Sequence, residues 1–315
     1  MNRLLSILSI VVPCHNEEEV LDATHGRLTV IAQGLRDQQK IKDYEIVLVN
    51  NGSTDATMGV MQRIFQKDRR VVIVDLRRNF GYQASITAGL EHAAGDAVVT
   101  IDADLQDPPE KIGDMVDLCA QGHDLVLGVR QSRRADTFFK RVFSQFFYRF
   151  SKWMGVPVVY NHGDFRLIER SLLEQFKDMP ERSRFIRAMI FYLDHRYGIV
   201  PYDRQERQSG TTKFNVSALW GLAMDGIFSY SYFPLRVISI FGLCVSLAAM
   251  VLGGCVIYIK FKMHVFPGWA STILPVVFFG GIQCLFLGVI GEYIGRLYVE
   301  IKGRPLYAVR KIHKH

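Results

Sequence analysis

Two carboxylates separated by one residue, Asp102-Ala103-Asp104, follow directly on the β-branched run Ala97–Ile101. Where a strand ends, side chains leave the strict alternation of the pleat, so both carboxylates can turn toward one divalent cation. Hard oxygen donors suit Mg2+ or Mn2+, ions that usually share their shell with substrate phosphates. Most Asp-x-Asp triplets are solvated loops, but this one runs on through Leu105-Gln106-Asp107-Pro108-Pro109-Glu110, a far more particular string. Two more polar clusters stand at the ends of apolar runs. Pro13-Cys14-His15-Asn16-Glu17-Glu18 closes Ile7–Val12, and Asn50-Asn51-Gly52-Ser53-Thr54-Asp55 closes Glu45–Val49. Such amides, hydroxyls and carboxylates offer fixed donors and acceptors to a base and a ribose. Each cluster alone could be turn chemistry, with Ser53 or Asp55 capping the next helix. The three together, in this order, are hard to explain as turns.

The elements that would position them alternate. Runs at Ile7–Val12, Glu45–Val49, Val71–Leu76, Ala97–Ile101 and Asp124–Val129 are separated by helix-like stretches at Glu18–Gln38, Ala56–Lys67, Gln83–Ala93 and Pro109–Gln121. This pattern predicts right-handed βαβ units and a mainly parallel sheet covered on both faces by helices. Ligands of such sheets lie beyond the carboxyl ends of the strands, where the three clusters fall. A different pattern occupies Thr137–Met154, where Phe139, Phe143, Phe146, Phe150 and Trp153 alternate with Lys140, Arg141, Arg149 and Lys152. It predicts an amphipathic helix, either packed on the sheet or lying in a membrane interface. Asn215–Tyr232 reads as a second such helix.

The chain has 315 residues, a net charge of +7 and 49% hydrophobic residues, enough for a large core and one or two domains. The apolar excess lies after residue 233. Val237–Ile259 and Ala270–Gly291 are uncharged and long enough to cross about 30 Å of hydrocarbon at ~1.5 Å per residue. Pro267 and Gly268 sit in the short connection. Two spans would place both termini on one side, and the basic carboxyl-terminal residues (Arg296, Lys302, Arg304, Arg310, Lys311, Lys314) make that side cytoplasmic, against a mild contrary vote from Lys260 and Lys262. The positive charge fits an anionic partner. Cys14, Cys119, Cys244, Cys255 and Cys284 lack metal-site spacing and suit a reducing compartment. The start, Met1–Leu8, reads as a first buried strand and not as a signal peptide.

At these motifs the sequence resembles family-two glycosyltransferases, and most closely the polyprenyl-phosphate glycosyltransferases, a group similar to bactoprenol glucosyltransferases and related to dolichyl-phosphate mannose synthase. The resemblance extends over Gly163-Asp164-Phe165-Arg166-Leu167 and Gly210-Thr211-Thr212-Lys213-Phe214. It implies a type-A glycosyltransferase α/β fold plus a two-helix transmembrane hairpin. The implied layout is a transferase domain over 1–213, an interfacial helix over 214–234, two transmembrane helices within 235–299 and a basic cytoplasmic tail over 300–315. It implies that Pro13, Asn16, Glu17, Asn51 and Asp102 hold the nucleotide, and that Asp104 and Gln106 hold Mg2+ or Mn2+. Arg130 matches an arginine at the end of the following strand. Lys140, Arg141, Ser144, Arg207 and Lys213 match positions that gather donor and acceptor phosphates. The family usually carries Asp where this chain has Asn51.

The activity implied by the resemblance is an inverting transfer of a sugar, glucose foremost, from a nucleoside diphosphate (UDP) sugar to polyprenyl (undecaprenyl) phosphate at the inner membrane. Aminoarabinose-type sugars and mannose stay open as donors. The acceptor phosphate is already an anion, so the site must supply charge neutralisation more than a base. Asp164 is therefore expected to position rather than abstract a proton. A downstream flippase or glycosyltransferase and a homo-oligomer are further partners the resemblance suggests; nucleic acid is not one. A processive polysaccharide synthase would add a Gln-x-x-Arg-Trp segment and further spans, and a dinucleotide enzyme would need a glycine-rich turn where His15-Asn16-Glu17-Glu18 stands. A non-catalytic membrane scaffold would have little reason to retain Asp102, Asp104, Gln106 and Arg130.

Overall fold

The computed structural model describes residues 4–131, 161–182, 184, 186–193, 196–204, 233–262 and 268–315. The first half alternates as expected: β1 (Leu5–Cys14), α1 (Leu21–Asp37), β2 (Ile41–Asn50), α2 (Thr57–Lys67), β3 (Val71–Leu76), α3 (Tyr82–His92) and β4 (Ala97–Thr100). A 3-10 turn at Pro109–Lys111 leads into α4 (Ile112–Ala120), in place of the single helix expected from Pro109 to Gln121. Next come β5 (Leu125–Arg130), β6 (His162–Glu169), α5 (Arg170–Lys177), α6 (Ile186–Leu193) and β7 (Tyr197–Tyr202). Two long helices, α7 (Phe233–Lys262) and α8 (Trp269–Ile301), precede a last strand, β8 (Val309–His313).

The described strands form one sheet in the order β7-β5-β6-β4-β1-β2-β3-β8. The pairs β1–β2, β1–β4, β2–β3 and β5–β7 are parallel, whereas β6 runs antiparallel between β4 and β5. The start of β6 therefore reaches the same edge as the carboxyl ends of β4 and β5. Strands buried on both faces should read as continuous apolar runs, and β3 (Val-Val-Ile-Val-Asp-Leu) is buried throughout. Leu8, Ile10, Val12, Leu48 and Phe165 pack on one face with α1, α2 and α4. Val11, Val47, Val49, Val98 and Leu127 pack on the other with α3, α5 and α6.

Within the expected basic tail, the carboxyl-terminal segment forms a strand. Residues 309–313 add β8 antiparallel to β3, with Val74 opposite Ile312 and Ile73 opposite His313. An edge strand presents unpaired N–H and C=O groups, and β8 satisfies those of β3. The approach is fixed too: Arg182 N donates to Glu300 Oε2 at 2.7 Å, Arg77 N donates to Ala308 O at 2.9 Å, and the Tyr307 hydroxyl donates to Glu91.

α7 and α8 contain the two predicted spans. Phe241 of α7 and Phe286 of α8 meet edge to face at 5.6 Å. Both helices display large apolar side chains outward, among them Ile240, Leu243, Leu247, Phe278, Leu285 and Leu287. Among the described residues, Phe278–Ile301 is long and apolar enough to cross a membrane, and the shorter apolar stretch Leu235–Val245 lies in α7. The amphipathic helices expected at 137–154 and 215–232 lie outside the described residues.

Candidate active site

At the ends of β1 and β2, amide and hydroxyl side chains hold the turns through hydrogen bonds. Asn16 takes a left-handed conformation, φ 58°, so its backbone N–H donates to Ser53 Oγ at 3.1 Å while its side-chain oxygen accepts from Thr54 N at 2.8 Å. Asn adopts that region more readily than most residues. Glu17 N donates to Thr57 Oγ1 at 2.8 Å, and Ser53 N donates to Asn50 Oδ1 at 3.1 Å. Gly52 has φ 62°, and a Cβ there would collide with the backbone of Arg78 and Asn79. Only glycine lets the 77–81 loop close on this turn.

Asn51 fastens that loop. Its amide oxygen accepts from Phe80 N at 3.0 Å, and its nitrogen donates to Gly81 O and Asn79 Oδ1, both at 3.2 Å. The backbone partners fix which end of the amide is which. They also give a physical reason for Asn here: an aspartate could satisfy Phe80 N but would face two acceptors. His15 closes the circuit. Its Nδ1 lies 3.0 Å from Asn51 O, a pure acceptor, so Nδ1 carries the proton and Nε2 accepts from Asn79 Nδ2 at 3.1 Å.

Across β1 the chemistry changes to charge. Asp102, Asp104 and Asp107 occupy the turn after β4, which Leu105 allows by taking φ 55°. Asp104 Oδ1 accepts from Gln106 N at 3.2 Å, and the Tyr82 hydroxyl donates to Asp102 Oδ1 at 2.5 Å. Burial, together with Asp107 and Asp164, pushes the Asp102 carboxyl up to about 7. Asp107, 2% exposed, accepts from Tyr202 OH at 2.6 Å and from Arg130 NH2 at 3.5 Å. Arg130 Nε donates to Tyr202 OH at 3.2 Å, and Asp107 and Tyr202 hold the guanidinium charged against its burial. Gly163 leaves room for it, since a Cβ there would lie 3.1 Å from Arg130 NH2.

Asp164 and Arg166 alternate onto the face opposite Phe165. Asp164 pairs with Arg166 and with Arg187 of α6, whose Nε and NH2 lie 3.2 and 2.5 Å from its two oxygens. Burial alone would raise its pKa, yet the two guanidiniums hold the carboxyl below the usual carboxylate range. His162 beside them is kept neutral by burial and by Arg166 and Arg187.

The edge thus carries amides at the ends of β1 and β2 and crowded aspartates after β4. Residues 9–177 match the family described as Glycosyl transferase family 2. An uncharacterized glycosyltransferase of Synechocystis sp. is 40% identical over 304 residues, 96% of this chain and 94% of the relative. The SfII prophage-derived bactoprenol glucosyl transferase of Shigella flexneri is 39% identical over 312 residues, 98% of each chain. The chain belongs to glycosyl transferase family 2, in its bactoprenol glucosyl transferase-like group. Among solved structures it resembles glucosyl-3-phosphoglycerate synthase from Mycobacterium tuberculosis, solved with Mn2+, UDP and phosphoglyceric acid. That match has 20% identity and a TM-score of 0.48, covering 71% of this chain and 76% of that one.

In this glycosyltransferase the predicted residues Pro13, Asn16, Glu17, Asn51, Asp102, Asp104, Gln106, Arg130 and Asp164 gather along one edge of the sheet. Lys140, Arg141, Ser144, Arg207 and Lys213 lie outside the described residues. The Asn51 side chain braces the 79–81 segment. Among the described residues no three His, Cys, Asp or Glu side chains group as a metal site. Asp104 and Gln106 still fit a hard cation whose remaining ligands are phosphate oxygens. Sequence reasoning missed Tyr82, Tyr202 and Arg187. Only Tyr82, the first residue of a helix after the left-handed Gly81, carried a local signal.

Proposed function

We propose that this glycosyltransferase moves glucose from UDP-glucose to polyprenyl (undecaprenyl) phosphate, inverting the anomeric centre, at the cytoplasmic membrane face. The observation that carries the reading is the double pairing of Asp164. A carboxylate locked by Arg166 and Arg187 is a poor proton acceptor, and transfer to an acceptor that is already a phosphate anion needs none. The near full-length likeness to a bactoprenol glucosyl transferase supports the same acceptor and sugar.

The hydrogen-bonded network around Asn16, Glu17 and His15 would seat the nucleoside, with Asp102 on the ribose. Asp104 and Gln106 would hold Mg2+ or Mn2+, which when bound supplies Lewis-acid stabilisation of the departing diphosphate. Arg130, pinned by Asp107 and Tyr202, presents a preorganised cation near the transferring group, where forked contacts to phosphate oxygens are favoured. Arg207 and Lys213, with Lys140, Arg141 and Ser144, would neutralise the acceptor.

The sheet also bears on topology. β7 and β8 belong to one sheet, so the chain between them leaves and returns on the same side of any membrane. An even number of crossings is required, which favours α7 and α8 as a paired hairpin over one span alone. Both termini are then cytoplasmic.

The test is a panel of nucleotide sugars offered to the full chain in detergent, with and without undecaprenyl phosphate, and the lipid product weighed by mass spectrometry. Hexosyl-phosphoryl-undecaprenol formed from UDP-glucose is expected. Glucose transfer to water or to a sugar hydroxyl, with the lipid phosphate ignored, would overturn the acceptor.

A further inference from the structure

The basic residues after α8 do more than follow a membrane helix, because β8 delivers one of them to the back of the nucleotide half. Arg310 NH2 donates to Arg77 O at 3.0 Å, and its NH1 lies 3.5 Å from Asp75 Oδ2. Asp75 is 4% exposed, and its other oxygen accepts from Asn50 Nδ2 at 2.7 Å. Asn50, 3% exposed, in turn accepts from Ser53 N, and Ser53 Oγ accepts from Asn16 N. One leg of the network thus runs Arg310–Asp75–Asn50–Ser53–Asn16. The other runs through the Arg77 carbonyl into the 77–81 loop that Asn51 and Asn79 fasten. Both legs end on the strand ends assigned to the nucleoside.

We propose that Arg310 is a positioning residue for donor binding, making the strand beyond the membrane helices a working part of the nucleotide site. Asp75 is a buried carboxylate whose second oxygen faces a cation; with that cation gone, the hydrogen bond that orients Asn50 loses its counter-charge. The Asn50–Ser53 turn then loosens, and with it the left-handed Asn16. This inference rests on the nucleotide reading of Asn16 and its neighbours.

The experiment uses the full chain in detergent, with UDP binding by calorimetry in the presence of Mn2+ and steady-state transfer from UDP-glucose to undecaprenyl phosphate. Arg310→Ala is expected to weaken UDP binding and raise the donor KM about tenfold, with kcat within about twofold, the split expected when binding is lost equally in ground and transition states. Arg310→Lys, which keeps the charge, should recover much of that loss. Asp75→Asn should weaken UDP by a similar factor, and the double variant should be no worse than either single one, since both break one chain of contacts. Lys311→Ala removes a charge from the same strand without touching the network and should match the parent. Equal UDP binding by Arg310→Ala and the parent would overturn the proposal while leaving the nucleotide reading intact. So would a Lys311→Ala effect as large as that of Arg310→Ala, which would mark a general charge effect. A parent chain that fails to bind UDP would overturn both.

Discussion

The two sides of β1 solve different problems with different chemistry. Toward β2 and β3, Asn16, Asn50, Asn51, Ser53 and Asn79 are joined by hydrogen bonds in which each amide both donates and accepts. Toward β4, β5 and β6, Asp107 pairs with Arg130 and Asp164 with Arg166 and Arg187, while Asp102 accepts from the Tyr82 hydroxyl. Amide networks define shape, which suits a base and ribose. Buried charges are costly unless matched, and they persist where a ligand brings charge of its own. On the proposed reading, the base falls to the amide side and the diphosphate to the charged side, with Asp102 on the ribose between them.

The comparison can be broken most forcefully on the charged side. Asp104→Ala should lower turnover roughly a thousandfold, the scale of Lewis-acid stabilisation lost with the cation. Chelation of the parent should do the same and be reversed by Mg2+ or Mn2+; a folded Asp104→Ala chain with parental turnover in chelator would contradict the assignment. Next in size is Arg187→Ala, which leaves Asp164 one guanidinium short in a buried site. Breaking such a pair typically destabilises by about 3–5 kcal/mol, which denaturant unfolding in detergent would register as a lower midpoint. Stability within error of the parent would mean that Arg166 alone suffices.

On the neutral side the effects should be smaller and of another kind. Asn51→Asp installs the usual family residue, yet here it would oppose Gly81 O and Asn79 Oδ1. A destabilisation of about 1–3 kcal/mol is expected, with UDP bound more weakly and the metal response unchanged. Tighter UDP binding by this variant would show that Asn51 contacts the base directly. Smallest of all, Tyr82→Phe removes one hydrogen bond to Asp102 and should change donor KM only a few fold, measured at saturating metal. A loss comparable to Asp104→Ala would move Tyr82 into the chemistry itself.

Much of the edge was legible because it is local. Pro13 to Glu18, Asn50 to Asp55 and Asp102 to Gln106 each follow a β-branched run at once, and a strand end followed by polar residues reads the same on paper and in space. Arg187 was not legible, since α6 meets Asp164 only after β6 inserts antiparallel between β4 and β5. Nor was Tyr202, whose hydroxyl reaches Asp107 from an edge strand far along the chain. For Asn51, the capacity of an amide to donate and accept was clear from sequence, but its partners at 79–81 come from the next βα connection. Residues 309–313 read as a basic tail because their charge outweighed a short strand pattern, and strand pairing with β3 decided otherwise.

The most direct measurement of the central claim is acceptor-dependent release of UDP from UDP-glucose by the full chain in detergent, monitored with and without undecaprenyl phosphate and with and without Mn2+. Release that requires both the lipid phosphate and the cation, matched mole for mole by glycolipid, is the predicted result. Release at the same rate without the lipid, or with the cation chelated, would contradict an account in which the charged side of β1 brings two phosphates together.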